Sequence, residues 1–368
     1  MNNTEFQPDW SVSPGDMLAE ILEAKDLRQS ELAERTGLTT KHINQIVKDR
    51  AAISGDVAVL LERTLDVPAT FWTRLEADWA AYQGTERARG QLHRYHGWAN
   101  EFDLNALIHY DIVAQADDAD TRVEKLLKFF QVASPDAFRQ AWLAPRVSFR
   151  RSQSFEVAEA NTALWLRLLD RSARHVEVAA FNPKLLRKLA KELKAMTNLP
   201  LVEGFRAARA ALAEAGVALT FISEVPGTRL LAATWWLASD RPAIGLTARQ
   251  KKTDTFWFNL IHEVGHIVLH PRRATFLDID KEGRNTPEER EADEFVIETL
   301  FPGDALERIV EASDKTELSR IAARLGVSVS LVAGQYAWHR NAYGQMNSMR
   351  ETIDARRVTE LEAISKVA

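Results

Sequence analysis

The residues best suited to chemistry in this chain lie in the stretch FWFNLIHEVGHIVLH, residues 256–270. It contains His262, Glu263 and His266 in the pattern H-E-x-x-H. On a helix, two histidines four residues apart lie on one face and can bind the same cation. Glu263 lies beside the first histidine, within reach of a water on that cation. The pattern therefore predicts a metal site with a carboxylate that can act as a general base.

A zinc site that keeps one position open for water needs a third protein ligand. The chain contains no cysteine, so that ligand must be His, Asp or Glu, and disulfides and a cysteine nucleophile are excluded. The downstream stretch TPEEREADEFVIETLFP carries several carboxylates on a second helix that Pro287 would begin. On an ideal helix Glu291 projects about 200° away from Glu289, so only one of these two can readily face the metal.

His270 extends the histidine series by one further turn. It does not fit the third ligand of the pattern H-E-x-x-H-x-x-G-x-x-H, because the glycine of that pattern is absent. We therefore expect His270 to be structural or to lie at the rim of the site.

A second region with recognisable chemistry lies near the N-terminus, where a turn joins two short helical patterns. Gly37 permits a left-handed turn, and Thr39 is placed to cap the helix that follows. The buried side of that helix carries Ile43, Ile46 and Val47. Its remaining face has side chains able to meet base edges or phosphates, namely Thr40, Lys41, Asn44, Gln45 and Lys48. Together these features predict a helix-turn-helix.

The charge pattern favours a local DNA-binding face. The formal net charge of −5 argues against a chain that coats nucleic acid indiscriminately. Residues 1–84 contain eight Lys/Arg against fourteen Asp/Glu, whereas residues 28–50 contain five against three. Basic charge therefore lies where the DNA face would be, which predicts weak non-specific affinity and sequence-dependent binding by a dimer.

The period of the hydrophobic pattern changes along the chain, and this change indicates the elements that must position the metal site. Residues 85–215 show helical periodicity, whereas GVALTFISEVPG and RLLAATWWLASDRPAIGLT, from residue 216 onwards, are typical of short strands. A small sheet then precedes the H-E-x-x-H helix. The later stretch ELSRIAARLGVSVSLVAGQYAWHR is similar to a second helix-turn-helix, and we expect it to pack within the same domain.

Both regions resemble known families. RQSELAERTGLTTKHINQIVKDRAAIS resembles the repressor/Cro-type helix-turn-helix, and its flanking segments resemble HigA-type antitoxins. That resemblance implies phosphate contacts from Gln29 and Lys48 and base contacts from Thr40, Lys41 and Asn44, and Thr39 is included in the expected DNA-binding set.

TFWFNLIHEVGHIVLH, followed by EEREADEFVIETLFP, resembles the ImmA/IrrE family of zinc metallopeptidases, of gluzincin type. The resemblance implies one Zn²⁺ per chain, with Glu289 as third ligand and Glu288 and Glu291 as weaker alternatives. It also implies that Asp293, in place of the family's usual Asn, hydrogen-bonds the far nitrogen of a ligand histidine.

The expected fold is mainly α with a small β-sheet. We expect a helix-turn-helix domain at 1–84, a helical middle region at 85–204, a zincin-like α+β metallopeptidase domain at 205–345 and a C-terminal tail at 346–368. The first ten residues lack a signal-peptide pattern and no apolar run reaches the 18 or so residues of a membrane span, so we expect a soluble cytoplasmic protein.

The expected function joins these parts. The chain would be a DNA-binding regulator, similar to an antitoxin, whose zinc endopeptidase domain hydrolyses a peptide bond in a regulatory protein partner. In the alternative, it is a non-proteolytic repressor or antitoxin whose C-terminal domain only binds a toxin or senses a ligand. Both predict a homodimer on a palindromic operator and no membrane partner.

Overall fold

The computed structural model describes residues 11–143, 158–270 and 286–366, and the backbone of residues 276–279. The chain forms two compact units, Met1–His96 and Gly97–Ala368. The helix Ala69–Arg89 runs through the boundary expected at residue 84, because its 21 residues continue without a break. Within the described residues, no helix combines the length and apolar character needed to cross a membrane.

The N-terminal unit is a small helical bundle. Its core contains the side chains of Leu18, Leu32, Ile43, Leu61 and Trp72, all 0% exposed. The helices are α1 (Pro14–Ala24), α2 (Gln29–Thr36), α3 (Thr40–Val47), α4 (Gly55–Leu65) and α5 (Ala69–Arg89), followed by a short 3₁₀ turn (Leu92–Tyr95).

The second unit is also mainly helical, as expected. The short helix α6 (His96–Ala99) spans the point at which the chain passes from one unit to the next. Then follow α7 (Leu104–His109), α8 (Ala119–Phe130), α9 (Pro135–Phe138), a π-helical turn (Arg139–Leu143), α10 (Glu159–Arg174), α11 (Pro183–Met196) and α12 (Leu201–Glu214). After the first three strands come α13 (Thr253–Leu269), α14 (Pro287–Leu300), α15 (Ala305–Glu311), α16 (Lys315–Leu325), α17 (Val329–Arg340), α18 (Tyr343–Met346) and α19 (Ala355–Ser365).

The small β-sheet that the sequence predicts is present. Its strands are β1 (Ala218–Phe221), β2 (Leu230–Ala238), β3 (Arg241–Leu246) and β4 (Phe276–Ile279), in the order β1-β3-β2-β4. β1 pairs with β3 in parallel, and β2 pairs antiparallel with both β3 and β4. β4 comes after the H-E-x-x-H helix and was not expected from the sequence.

Helices from outside residues 205–345 complete the core around this sheet. α10 contacts β1, β2 and β3, and α19 contacts β1. One apolar cluster includes Leu186, Phe205, Leu219, Leu260 and Leu361. Every residue of β1 is buried, so the sheet needs cover that residues 205–345 alone do not supply. Parts of the expected middle region and tail therefore belong to the same folded unit as the sheet.

The second helix-turn-helix-like stretch folds as α16 and α17 and packs inside this unit, which confirms the expectation. α17 contacts α13, and its Leu331, Val332 and Ala333 are buried in the same apolar cluster. Residues 330–334 are all buried, so the first half of α17 presents no open face to DNA.

Candidate metal centre and helix-turn-helix

The H-E-x-x-H residues lie on α13, which is surrounded by other elements. α13 contacts β2 and β3 and the helices α11, α14 and α17. As a result His262 and Glu263 are 0% exposed and His266 is 1% exposed. Burying a polar side chain costs free energy unless it has a hydrogen-bond or metal partner. The buried histidines of α13 must therefore face such partners.

α14 supplies those partners. The Thr286 hydroxyl caps this helix by accepting a hydrogen bond from the backbone N–H of Glu289, and Pro287 occupies its first turn. α14 can lie close to α13 because Gly265 has no side chain. A Cβ at that position would lie 3.1 Å from Cδ1 of Phe295. The glycine of the H-E-x-G-H sequence therefore allows the approach that brings Glu289 to the histidines.

Three donor atoms from these helices meet at one point. Nε2 of His262 lies 3.0 Å from Nε2 of His266 and 3.1 Å from Oε2 of Glu289. Nε2 of His266 lies 3.5 Å from Oε1 of Glu289. Tetrahedral zinc with bonds of 2.0–2.1 Å holds its ligand atoms about 3.3 Å apart. The three buried side chains can hold a metal ion, and their two nitrogens and one oxygen fit zinc.

The electrostatics give these groups the protonation states that metal ligands need. Burial raises the pKa of the Glu289 carboxyl, but the close rings of His262 and His266 outweigh it and lower that pKa to about 2. Burial lowers the pKa of the His266 ring below its ordinary value. At neutral pH Glu289 is therefore ionised and His266 is neutral.

Asp293 lies on the far side of His262. The Nδ1–H of His262 donates a hydrogen bond of 2.9 Å to Oδ1 of Asp293, which leaves Nε2 directed towards Glu289. The structure therefore brings together four residues that the sequence singled out, namely His262, His266, Glu289 and Asp293. Glu263, the fifth, is buried next to His262 on α13.

Glu263 is held by a residue that sequence reasoning missed. The Thr234 hydroxyl, on β2, lies 2.6 Å from Oε2 of Glu263 and 3.1 Å from its backbone carbonyl oxygen. Thr234 is 0% exposed. No sequence signal points to it, because the contact depends on how β2 packs against α13.

His270 and Glu291 form a further chain of contacts. The Nδ1 atoms of His270 and His266 are 2.9 Å apart, and Nε2 of His270 lies 3.2 Å from Oε2 of Glu291. The spacing of four residues between the two histidines was a usable signal for this contact. Glu291 thus faces His270, while Glu289 faces the ligand histidines.

The helix-turn-helix region places its predicted contact residues on α2, α3 and their ends. Gly37 has a φ of 75°, and the Thr39 hydroxyl caps α3 by accepting from the N–H of His42, as expected. Nδ2 of Asn44 donates a 3.1 Å hydrogen bond to Oε1 of Gln29, and both side chains are half-buried. The remaining residues of the set are exposed, namely Thr39, Thr40, Lys41 and Lys48.

Comparison with protein families gives two matches. Residues 219–334 match a peptidase family described as the IrrE N-terminal-like domain, and residues 18–72 match the helix-turn-helix family. No curated protein matches the chain. The first range contains the His262, His266 and Glu289 group, and the second contains α2 and α3. This chain therefore carries a helix-turn-helix domain near its N-terminus and an IrrE-like domain of a peptidase family in its C-terminal half.

Proposed function

We propose that this protein is a DNA-binding regulator whose C-terminal unit is a zinc-dependent endopeptidase acting on a regulatory protein partner. One observation carries the proposal: His262, His266 and Glu289 form a buried donor set, and the equally buried Glu263 directly follows His262 on α13. The peptidase family match supports peptide hydrolysis as the reaction at this donor set. The helix-turn-helix match supports gene regulation through DNA binding.

His262, His266 and Glu289 would hold the zinc ion, and Asp293 would keep the His262 ring in the tautomer that presents Nε2. A zinc ion on such a set polarises a carbonyl and lowers the pKa of water. The groups on α13 and α14 are preorganised, because α13 packs on the sheet and α14 packs on α13 and α11.

Glu263 would act as the general base. A carboxylate oxygen of Glu263 accepts a proton from water as the water oxygen bonds to the scissile carbonyl carbon. The same oxygen then returns the proton to the amide nitrogen as the C–N bond breaks. The Thr234 hydroxyl, bonded to Oε2, fixes the carboxylate plane during both transfers.

The test compares wild type with Glu263→Gln, which keeps the shape of the side chain but removes the base. Both proteins are loaded with zinc and incubated with a proteome-derived peptide library, and new termini are identified by mass spectrometry. We expect equal zinc content and new termini with wild type alone. Termini that also appear with Glu263→Gln contradict the role of Glu263. A zinc-loaded wild type that produces none favours the non-proteolytic repressor.

The helix-turn-helix would bind a palindromic operator as a homodimer, with half-sites about 34 Å apart. In this proposal Thr40, Lys41 and Asn44 would contact bases, and Gln29 and Lys48 would contact phosphates. The test selects DNA from a random pool and then compares Lys41→Ala with Arg63→Ala, an equal charge change on α4. We expect a much larger loss of affinity for Lys41→Ala. Equal losses of DNA affinity in the two variants would contradict the assignment of this face of α3 to DNA binding.

A further inference from the structure

We propose that His270 is a positioning residue of the metal centre, which with Glu291 fixes the tautomer of His266. The inference rests on the proposed function in one respect, because it assigns His262, His266 and Glu289 as the ligands. It adds two residues with a defined task. His270 accepts a hydrogen bond from His266, and Glu291 sets the direction of that bond.

The geometry forms a continuous chain away from the ligands. The two Nδ1 atoms of His266 and His270 are 2.9 Å apart, and Nε2 of His270 is 3.2 Å from Oε2 of Glu291. The His270 side chain is 4% exposed, although the residue lies just beyond the end of α13. Its backbone N–H donates to the carbonyl oxygen of His266, which holds the ring in place.

The direction of each hydrogen bond follows from elementary chemistry. A neutral imidazole has one N–H donor and one acceptor nitrogen, and an ionised carboxylate only accepts. The proton of His270 facing Glu291 is therefore on Nε2, and Nδ1 of His270 is an acceptor. That acceptor requires the His266 proton to be on Nδ1.

The consequence appears at the other side of the His266 ring. With its proton on Nδ1, His266 has a lone pair on Nε2, the atom that lies 3.0 Å from Nε2 of His262. The opposite tautomer would place a proton at the point where the donor atoms meet. An outer hydrogen-bond partner that fixes a ligand histidine in this way supports metal affinity.

The two ligand histidines therefore have different supports. His262 donates directly to the carboxylate of Asp293, whereas His266 donates to a neutral ring. The carboxylate behind that ring belongs to Glu291, whose side chain is 58% exposed. Solvent screens a charge at such a position, so Glu291 acts mainly by orienting His270.

The first arm of the test measures zinc affinity of the full chain by competition with a chromophoric chelator. His270→Ala removes the acceptor, and we expect affinity to fall by about 10- to 100-fold. His270→Asn places a carbonyl oxygen near the position of Nδ1, and we expect it to restore most of the affinity. Glu291→Ala should cause a smaller loss. Glu294→Ala, an exposed glutamate on the same helix, is the control and should cause none.

The second arm reads the tautomers by ¹⁵N NMR of histidine-labelled, zinc-loaded protein. We expect the proton on Nδ1 of His266 and on Nε2 of His270. The reverse assignment overturns the inference, as does a His270→Ala variant that binds zinc like wild type, or a His270→Asn variant as weak as His270→Ala. Zinc-loaded wild type that shows these tautomers but cleaves no peptide refutes the proposed function and leaves the positioning chain standing.

Discussion

At the scale of single residues, the donor residues and one support, Asp293, could be predicted, whereas the support from Thr234 could not. The spacing of His262 and His266 indicated two candidate ligands, and family resemblance selected Glu289 as the third candidate. Thr234 precedes Glu263 by 29 residues and meets it only because β2 packs on α13. Sequence spacing reports neighbours on one helix, whereas a strand-to-helix contact exists only once the fold is known.

Thr234→Val tests this support for the general base. Valine keeps the volume but loses the hydroxyl, so Glu263 loses a hydrogen bond worth about 1.5–3 kcal/mol. We expect zinc content to stay unchanged and the rate of peptide cleavage to fall by roughly 10-fold or more. The control is Thr247→Val, another buried threonine, whose hydroxyl bonds the backbone of Leu230 and Leu231. Equal rates for Thr234→Val and wild type would remove Thr234 from the mechanism.

At the scale of elements, the decisive contact is the close packing of α13 on α14. The sequence predicts both helices, but it does not give the distance between their axes. Gly265 lies in this contact, and a Cβ there would be 3.1 Å from Cδ1 of Phe295, so a larger side chain would have to displace the Phe295 ring. The glycine is thus an indirect determinant of the metal centre.

Gly265→Val is expected to push α14 away and to separate Glu289 from the two histidines. Zinc affinity should fall steeply while the circular dichroism spectrum stays that of a folded protein. Gly265→Ala should have a milder effect, since the Phe295 ring would have to move by only a few tenths of an ångström to accept the added Cβ. The double variant Gly265→Val/Phe295→Ala relieves the clash and should recover zinc binding. A Gly265→Val variant with wild-type zinc affinity would show that the close packing of α13 on α14 does not limit zinc binding.

At the scale of the whole molecule, the sequence predicted the mainly helical class, the small sheet and both functional regions. It did not predict how far the C-terminal unit extends. Val358, Leu361 and Ile364 are three residues apart, a helical pattern that was available in the expected tail. The helix that carries this pattern, α19, contacts β1, which lies more than 130 residues earlier in the chain. α19 also contacts α12.

Leu361→Ala tests whether this helix belongs to the core. Leu361 is 0% exposed, and truncating such a leucine costs about 2–5 kcal/mol in the free energy of unfolding. We expect calorimetry to show a lower Tm for the C-terminal unit. Thr359→Ala, on the exposed side of the same helix, should change the free energy by less than about 0.5 kcal/mol. Similar free energies of unfolding for the two variants would mean that α19 is not part of the core.

The central claim is that three side chains of the C-terminal unit bind one zinc ion, and elemental analysis tests it most directly. Wild type, Glu289→Ala and Glu288→Ala are purified without chelator, the last replacing an exposed neighbour on α14. We predict about one zinc per chain in wild type and Glu288→Ala, and little or none in Glu289→Ala. Metal-free wild type, or full zinc content in Glu289→Ala, would contradict the account.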